Sequence, residues 1–278
     1  MESREHSYLK KIRLKTKRKI TNLFSGEYHS AFKGQGLEFE SVREYNYGDE
    51  VRNIDWNVSA RMNHLYIKEF SEERELSIVL LLDISASNDF GTAKSKKELM
   101  METASLFLYL AQMNNDRVSV VLFTDRVEKY IRPKKGRKFI LKALDEIEKC
   151  IPASTKTDLS AAVDFLSMVM KKRSVVFFIS DFLDRGDYLL KLKHLSRRHD
   201  IIPVHIFDKM EREMNFSGLV EFVDLETGKT FLSDSVPSDN NFKFVEGFDS
   251  IVLDTTDPIE MPILKFFEKR NRSRHTHA

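Results

Sequence analysis

The sequence contains a single cysteine, Cys150, and no hydrophobic run of membrane length. One cysteine excludes an intramolecular disulfide framework and suits a reducing compartment. The longest apolar stretches, such as Leu76–Leu82 (LSIVLLL), are strand-sized, which argues against a membrane-spanning helix. The opening Met-Glu-Ser-Arg-Glu does not build the apolar core of a secretory leader. These absences together lead us to expect a cytoplasmic protein. Several catalytic signatures are missing too. There is no G-x-S-x-G elbow and no P-loop, and Gly34-Gln35-Gly36 lacks the third glycine of a dinucleotide loop. The histidines are scattered, and His275 and His277 sit in a polar tail.

Net charge is low, at +2, but unevenly placed. Residues 1–24 carry Arg4, Lys10, Lys11, Arg13, Lys15, Lys17, Arg18 and Lys19 against Glu2 and Glu5, so this arm is +6 and the remainder −4. Such an arm can seek nucleic acid, an anionic membrane surface or an acidic protein. Leu9, Ile12, Ile20 and Leu23 fall near helical spacing, so the plainer expectation is an amphipathic helix lying on its own core. No aromatic interleaving or nucleic-acid module accompanies the arm, which argues against nucleic acid.

From residue 76 onward, strand-like and helix-like stretches alternate. Leu76–Leu82, Val118–Phe123, Val175–Ile179 and Ile201–Phe207 read as strands buried on both faces. Between them lie helical patterns at Lys94–Met113, Arg137–Cys150, the segment TDLSAAVDFLSMVMKK and Tyr188–Arg198. Val127–Ile131 reads as a strand hairpinned to Val118–Phe123. Leu219–Asp224 and Lys229–Leu232 flank Glu226-Thr227-Gly228 as a second hairpin, and Ser250–Thr255 with Pro258–Arg272 supplies a last strand and helix. The expected fold is α/β: a doubly wound, mainly parallel sheet in three layers, with an added N-terminal layer. We divide the chain into residues 1–75 (arm and layer) and 76–278 (α/β domain, with a hairpin insertion at about 213–245).

In an open parallel sheet, ligands bind where loops leave the carboxyl ends of the strands. Three such loops carry oxygen donors: Asp83-Ile84-Ser85-Ala86-Ser87 after the first strand, Thr157-Asp158 before a helix, and Asp181 after Val175–Ile179. Oxygen donors suit a hard divalent cation. The plainer reading is that Ser85 and Ser87 satisfy turn backbone and that Asp158 or Thr157 caps a helix. Upstream, Asp49, Arg52, Asp55 and Arg61 mix both signs around Trp56, the sole tryptophan. Our expectation is that Trp56 anchors the layer onto the core while the charges pair or face water. The sharper idea is that these five residues form a docking surface.

The strand followed by DISAS, the later Thr157, and the Asp181 after VVFFIS resemble the metal-ion-dependent adhesion site of the von Willebrand factor A fold. That resemblance implies Mg2+ or another divalent cation held by Asp83, Ser85, Ser87, Thr157 and Asp181. The sequence departs from the pattern at Lys156, where the family often has glycine, so Asp158 competes with Thr157 as second-loop donor. A longer block, GQGLEFESVREYNYGDEVRNIDWNVSAR with IKEFSEERELSIVLLLDIS, resembles the bacterial Domain of Unknown Function 58 family, as does the ending in FFEKR. Membership implies company with a MoxR-type AAA+ ATPase and its client, hence a metal-dependent protein-interaction role without catalysis. The enzyme rival is a metal-dependent phosphotransferase with its aspartate after the first strand. It needs a second aspartate two residues later as general acid, and Ser85 stands there.

Overall fold

Leu76–Leu82 has no polar face to give to solvent, so it must be covered on both sides. In the computed structural model, which describes residues 22–32, 37–72, 75–184, 186–213, 220–223, 230–233 and 247–275, that strand is the centre of a six-stranded sheet. The chain runs α1 (Asn22–Phe32), β1 (Leu37–Glu44), α2 (Trp56–Met62), β2 (Tyr66–Glu72), β3 (Ser77–Asp83) and α3 (Lys96–Met113). It continues through β4 (Arg117–Phe123), β5 (Val127–Lys134), α4 (Arg137–Glu148), α5 (Leu159–Val169), β6 (Val175–Ser180) and α6 (Tyr188–Ser196). Next come β7 (Asp200–Phe207), α7 (Lys209–Glu213), β8 (Val220–Val223), β9 (Thr230–Ser233), β10 (Ile251–Asp254) and α8 (Glu260–His275). The sheet order is β10-β7-β6-β3-β4-β5, and every pairing is parallel except β4 with β5.

Strand periodicity divides the core into two. Ile78, Leu80 and Leu82 of β3, with Val175, Phe177 and Ile179 of β6, face α1, α3, α4 and α8. Val79 and Leu81, with Val176 and Phe178, face α5 and α6. Helix starts are set by capping. Ser95 accepts from the Glu98 amide while the Glu98 carboxylate accepts from the Ser95 amide, the reciprocal box that satisfies two unpaired donors. Asp158 caps α5 through Ala161 N at 2.9 Å.

The docking of α1 was not apparent in the sequence. Phe24, Tyr28 and Phe32 enter the main core, where they meet Phe267 of α8 at ring distances of 6.2, 5.8 and 5.6 Å. The Tyr28 hydroxyl donates to Asp116 at 3.1 Å. Arg270 of α8 donates to the Ala31 carbonyl, pairs with Asp200 and lies over the Phe32 ring at 5.0 Å. The basic stretch up to residue 21 lies outside the described residues, as do Gly34, Gly36, the turn Glu226-Thr227-Gly228 and His277.

The N-terminal layer is an antiparallel β1–β2 pair with α2 set between its strands in sequence. Its buried apolar residues, Ile54 and Ile67, face each other across a bridge and belong to neither main cluster. The second hairpin is present as β8 paired with β9, Val220 opposite Ser233. Among the described residues, no helix is long and apolar enough to cross a membrane.

Candidate functional site

Parallel order brings the carboxyl ends of β3, β6 and β7 to one rim, and the predicted donors gather there. Asp83 closes β3 and is fully buried. Its Oδ1 accepts from Ser85 N at 3.0 Å and Ser85 Oγ at 2.6 Å. Ser85 Oγ lies 3.2 Å from Ser87 Oγ, and the Ser87 hydroxyl is close enough to Asp181 to help lower its carboxyl. Asn88 Nδ2 donates to the Asp83 carbonyl at 3.0 Å, fixing the turn from beneath. Asp83, Ser85, Ser87 and Asp181 therefore form one connected cluster of oxygens.

Cross-links hold the loops together. Ala86 N donates to the Thr155 carbonyl at 3.1 Å, setting the second loop against the first. Leu159 N donates to Asp184 Oδ2 at 2.8 Å, tying the second loop to the third. Thr157 is half-buried between those two ties, next to Asp158, whose carboxylate is used in the helix cap.

Three participants escaped the sequence reading. Ser180 Oγ donates to Asp83 Oδ2 at 2.7 Å and accepts from Phe182 N at 3.0 Å. Lys96, only 1% exposed, places its ammonium 2.9 Å from Asp181 Oδ2 and 2.7 Å from Glu211 Oε1. Glu211 belongs to α7, just past β7. A lysine at the first position of a helix opposes the macrodipole, but Lys97 beside it does the same, so the sequence does not single Lys96 out.

The electrostatics are asymmetric. Burial, and then the neighbouring charge of Asp181, push Asp83 up to about 7 despite the hydroxyls of Ser85 and Ser180. Burial works to raise Asp181 as well, but the charge and hydrogen bond of Lys96 outweigh it and hold that carboxyl below its ordinary value. Lys96 in turn sits above its usual range, because Asp181 and Glu211 overcome its desolvation. No group of three or more His, Cys, Asp or Glu able to hold a metal occurs among the described residues. The donor set at this rim is two carboxylates plus hydroxyls. A cavity of about 530 Å3, lined by Ser77, Arg117, Ser119 and Ser174, opens at the opposite end of the strands and shares no residue with the rim.

The four charged residues around Trp56 divide into two groups. Asp49 takes both guanidinium nitrogens of Arg43, at 2.6 and 2.9 Å, and the Asn46 amide, which together hold it down at about 2. Asp55 caps α2 through Asn57 N and Val58 N and lies 3.8 Å from Lys68. Arg52 and Arg61 face outward. The expectation that Trp56 anchors the layer is overturned: its side chain is 64% exposed. The buried residue of α2 is Ser59, and Ile54 with Ile67 fills the layer's interior instead. Tyr47, Val51, Met62 and Leu65 are exposed in the same layer.

Uncharacterized protein Rv1480 of Mycobacterium tuberculosis is 29% identical over 224 residues, covering 79% of this chain and 70% of the relative. Uncharacterized protein YeaD of Bacillus subtilis is 38% identical over 66 residues, covering 24% of this chain and 15% of that one. The solved structure of conserved hypothetical protein BatB from Bacteroides thetaiotaomicron is similar at a TM-score of 0.49 and 12% identity, covering 71% of this chain and 99% of that one. A von Willebrand factor type A structure from Catenulispora acidiphila is similar at 0.43 and 11% identity, covering 75% of this chain and 44% of that one. The model of the family described as "protein of unknown function DUF58" matches residues 41–243, and the chain belongs to that family.

Proposed function

We propose that this chain is a non-enzymatic protein-interaction module that holds Mg2+, or another divalent cation, and uses it to bind an acidic residue of a partner. The observation that carries the reading is the buried oxygen cluster of Asp83, Ser85, Ser87 and Asp181 at the sheet rim. Neighbouring oxygens around an octahedral magnesium stand about 2.9 Å apart, given metal–oxygen bonds of about 2.1 Å. The separations of 2.6 and 3.2 Å at Ser85 bracket that spacing. A cation would also offset the burial and the neighbouring Asp181 charge that raise Asp83. Asp158 is engaged at its helix cap, so Thr157 is the second-loop donor in this reading. With only one of the two carboxylates in direct contact and hydroxyls filling the other places, a divalent ion stays short of negative charge, and a partner carboxylate makes up the deficit.

Against catalysis stands Ser85, whose hydroxyl is no general acid near neutral pH. In this reading the partners are a MoxR-type AAA+ ATPase and its client, met in the cytoplasm. The outward-facing Trp56, Arg52 and Arg61 offer a second contact, since aromatic and arginine side chains are enriched where interfaces form. The test is Mn2+ titration by calorimetry, with capture of the ATPase in magnesium or in chelator. Wild type is expected to bind one ion and to retain the ATPase only without chelator. Asp83→Ala is expected to lose both while keeping its circular dichroism. Equal ion binding by the two proteins would refute the site.

A further inference from the structure

A lysine ammonium inside a cation site is itself a cation. Lys96 is buried at the rim, its backbone amide donates to the Phe90 carbonyl at 2.8 Å, and its ammonium bridges Asp181 and Glu211. The anchor at Phe90 places the base of this side chain in the segment that carries Ser85 and Ser87. Its tip therefore reaches across the site from the first loop to the third.

We propose that Lys96 is a resident counter-cation that competes with the divalent ion for Asp181, with Glu211 as the partner that keeps it when the ion arrives. The inference rests on the metal reading above and adds a regulatory residue to it. Two like charges cannot both sit against one carboxylate in a desolvated pocket without mutual cost. Binding of the ion loosens the Lys96–Asp181 contact, and the ammonium falls back on Glu211 at 2.7 Å. Glu211 Oε2 also accepts from Asp208 N at 3.2 Å. That bond joins it to a buried anchor, because Asp208 takes donors from Thr92, Met210 and Thr255. The retreat of Lys96 therefore bears on α7, the element that leads from β7 into the hairpin. Ion binding and the setting of α7 become coupled through one side chain.

Loss of Lys96 and loss of Glu211 are expected to have effects of opposite sign. Lys96→Met removes the competing charge and should tighten Mn2+ binding by roughly tenfold or more. Glu211→Gln removes the fallback partner, commits the ammonium to Asp181, and should weaken Mn2+ binding. Lys96→Arg keeps the charge and should not tighten it. A plain packing role for Lys96 would give no tightening in any variant. Removing Lys96 alone leaves the buried Asp181 and the half-buried Glu211 without their cation, so the double variant Lys96→Met/Glu211→Gln serves if the single one does not fold. It too should bind more tightly than Glu211→Gln alone. The measurement is Mn2+ affinity by electron paramagnetic resonance on the full chain, with Asp83→Ala as the blank. Tightening on loss of Lys96 with weakening on loss of Glu211 supports the proposal. Affinities within twofold of wild type in both overturn it and leave the metal site standing. Wild type indistinguishable from the Asp83→Ala blank, with no binding in any Lys96 variant, overturns the metal reading itself.

Discussion

Replacing Asp83 by asparagine removes a charge that the metal-free fold tolerates poorly. The carboxyl is fully buried beside Asp181 and is raised from 3.8 to about 7. At roughly 1.4 kcal/mol per unit, that rise corresponds to a penalty of about 4 kcal/mol for the ionised form. The packing cost of the exchange is small. An amide oxygen at this position still accepts from Ser85, and its NH2 can donate to Ser180, which now stands 2.7 Å from Oδ2. The sign follows from linkage. Between pH 4 and 7 the folded protein holds the Asp83 proton more tightly than the unfolded chain does. This contribution to wild-type stability is therefore complete below pH 4 and is lost as pH rises through 7. Asp83→Asn has no such loss. Its expected advantage is near zero at pH 4 and approaches the full penalty at pH 8, as read by urea unfolding in chelator. Saturating Mg2+ should reverse the order, because only wild type gains from the ion. If Asp83→Asn is no more stable than wild type at pH 8 in chelator, the electrostatic account of the rim is wrong.

Two further expectations concern packing. Phe267→Ala removes a fully buried ring that touches Phe24, Tyr28, Phe32 and Phe266; the loss should be about 3–5 kcal/mol, and a urea-derived change below 1 kcal/mol would count against the α1–α8 contact. Trp56→Ala should alter stability by no more than about 0.5 kcal/mol, and the fluorescence of this sole tryptophan should barely shift on unfolding, since 64% of it already meets solvent; a large red shift would show the indole to be buried.

The sheet was legible because its strands carry their own evidence. Leu76–Leu82, Val118–Phe123, Val175–Ile179 and Ile201–Phe207 are apolar but for Ser77, Ser119 and His205, and the structure places them as β3, β4, β6 and β7 within a residue or two. Only full burial explains such runs. The gathering of Asp83, Ser85, Ser87 and Asp181 at one rim was legible for a related reason: they stand at or just after strand ends, where a parallel sheet collects its loops. Lys96 was not legible. In a stretch reading Lys94-Ser95-Lys96-Lys97, one lysine looks like its neighbours, and nothing local says that the ends of β6 and β7 will close over it. Helix α1 was missed because Gly26, His29 and Ser30 interrupt its apolar pattern and its partner, α8, lies at the far end of the chain. Trp56 misled in the other direction, since size predicts burial only on average.

The grip of Arg270 on Ala31 and Phe32 bears on synthesis as well as on stability. The rings of Phe24, Tyr28 and Phe32 leave the ribosome more than two hundred residues before the helix bearing Phe266, Phe267 and Arg270. Until that helix follows, the nascent protein carries a greasy aromatic stripe with no lid. Contacts spanning so much of the chain form slowly and leave early intermediates prone to clumping, so the newborn chain stays vulnerable until α8 has emerged.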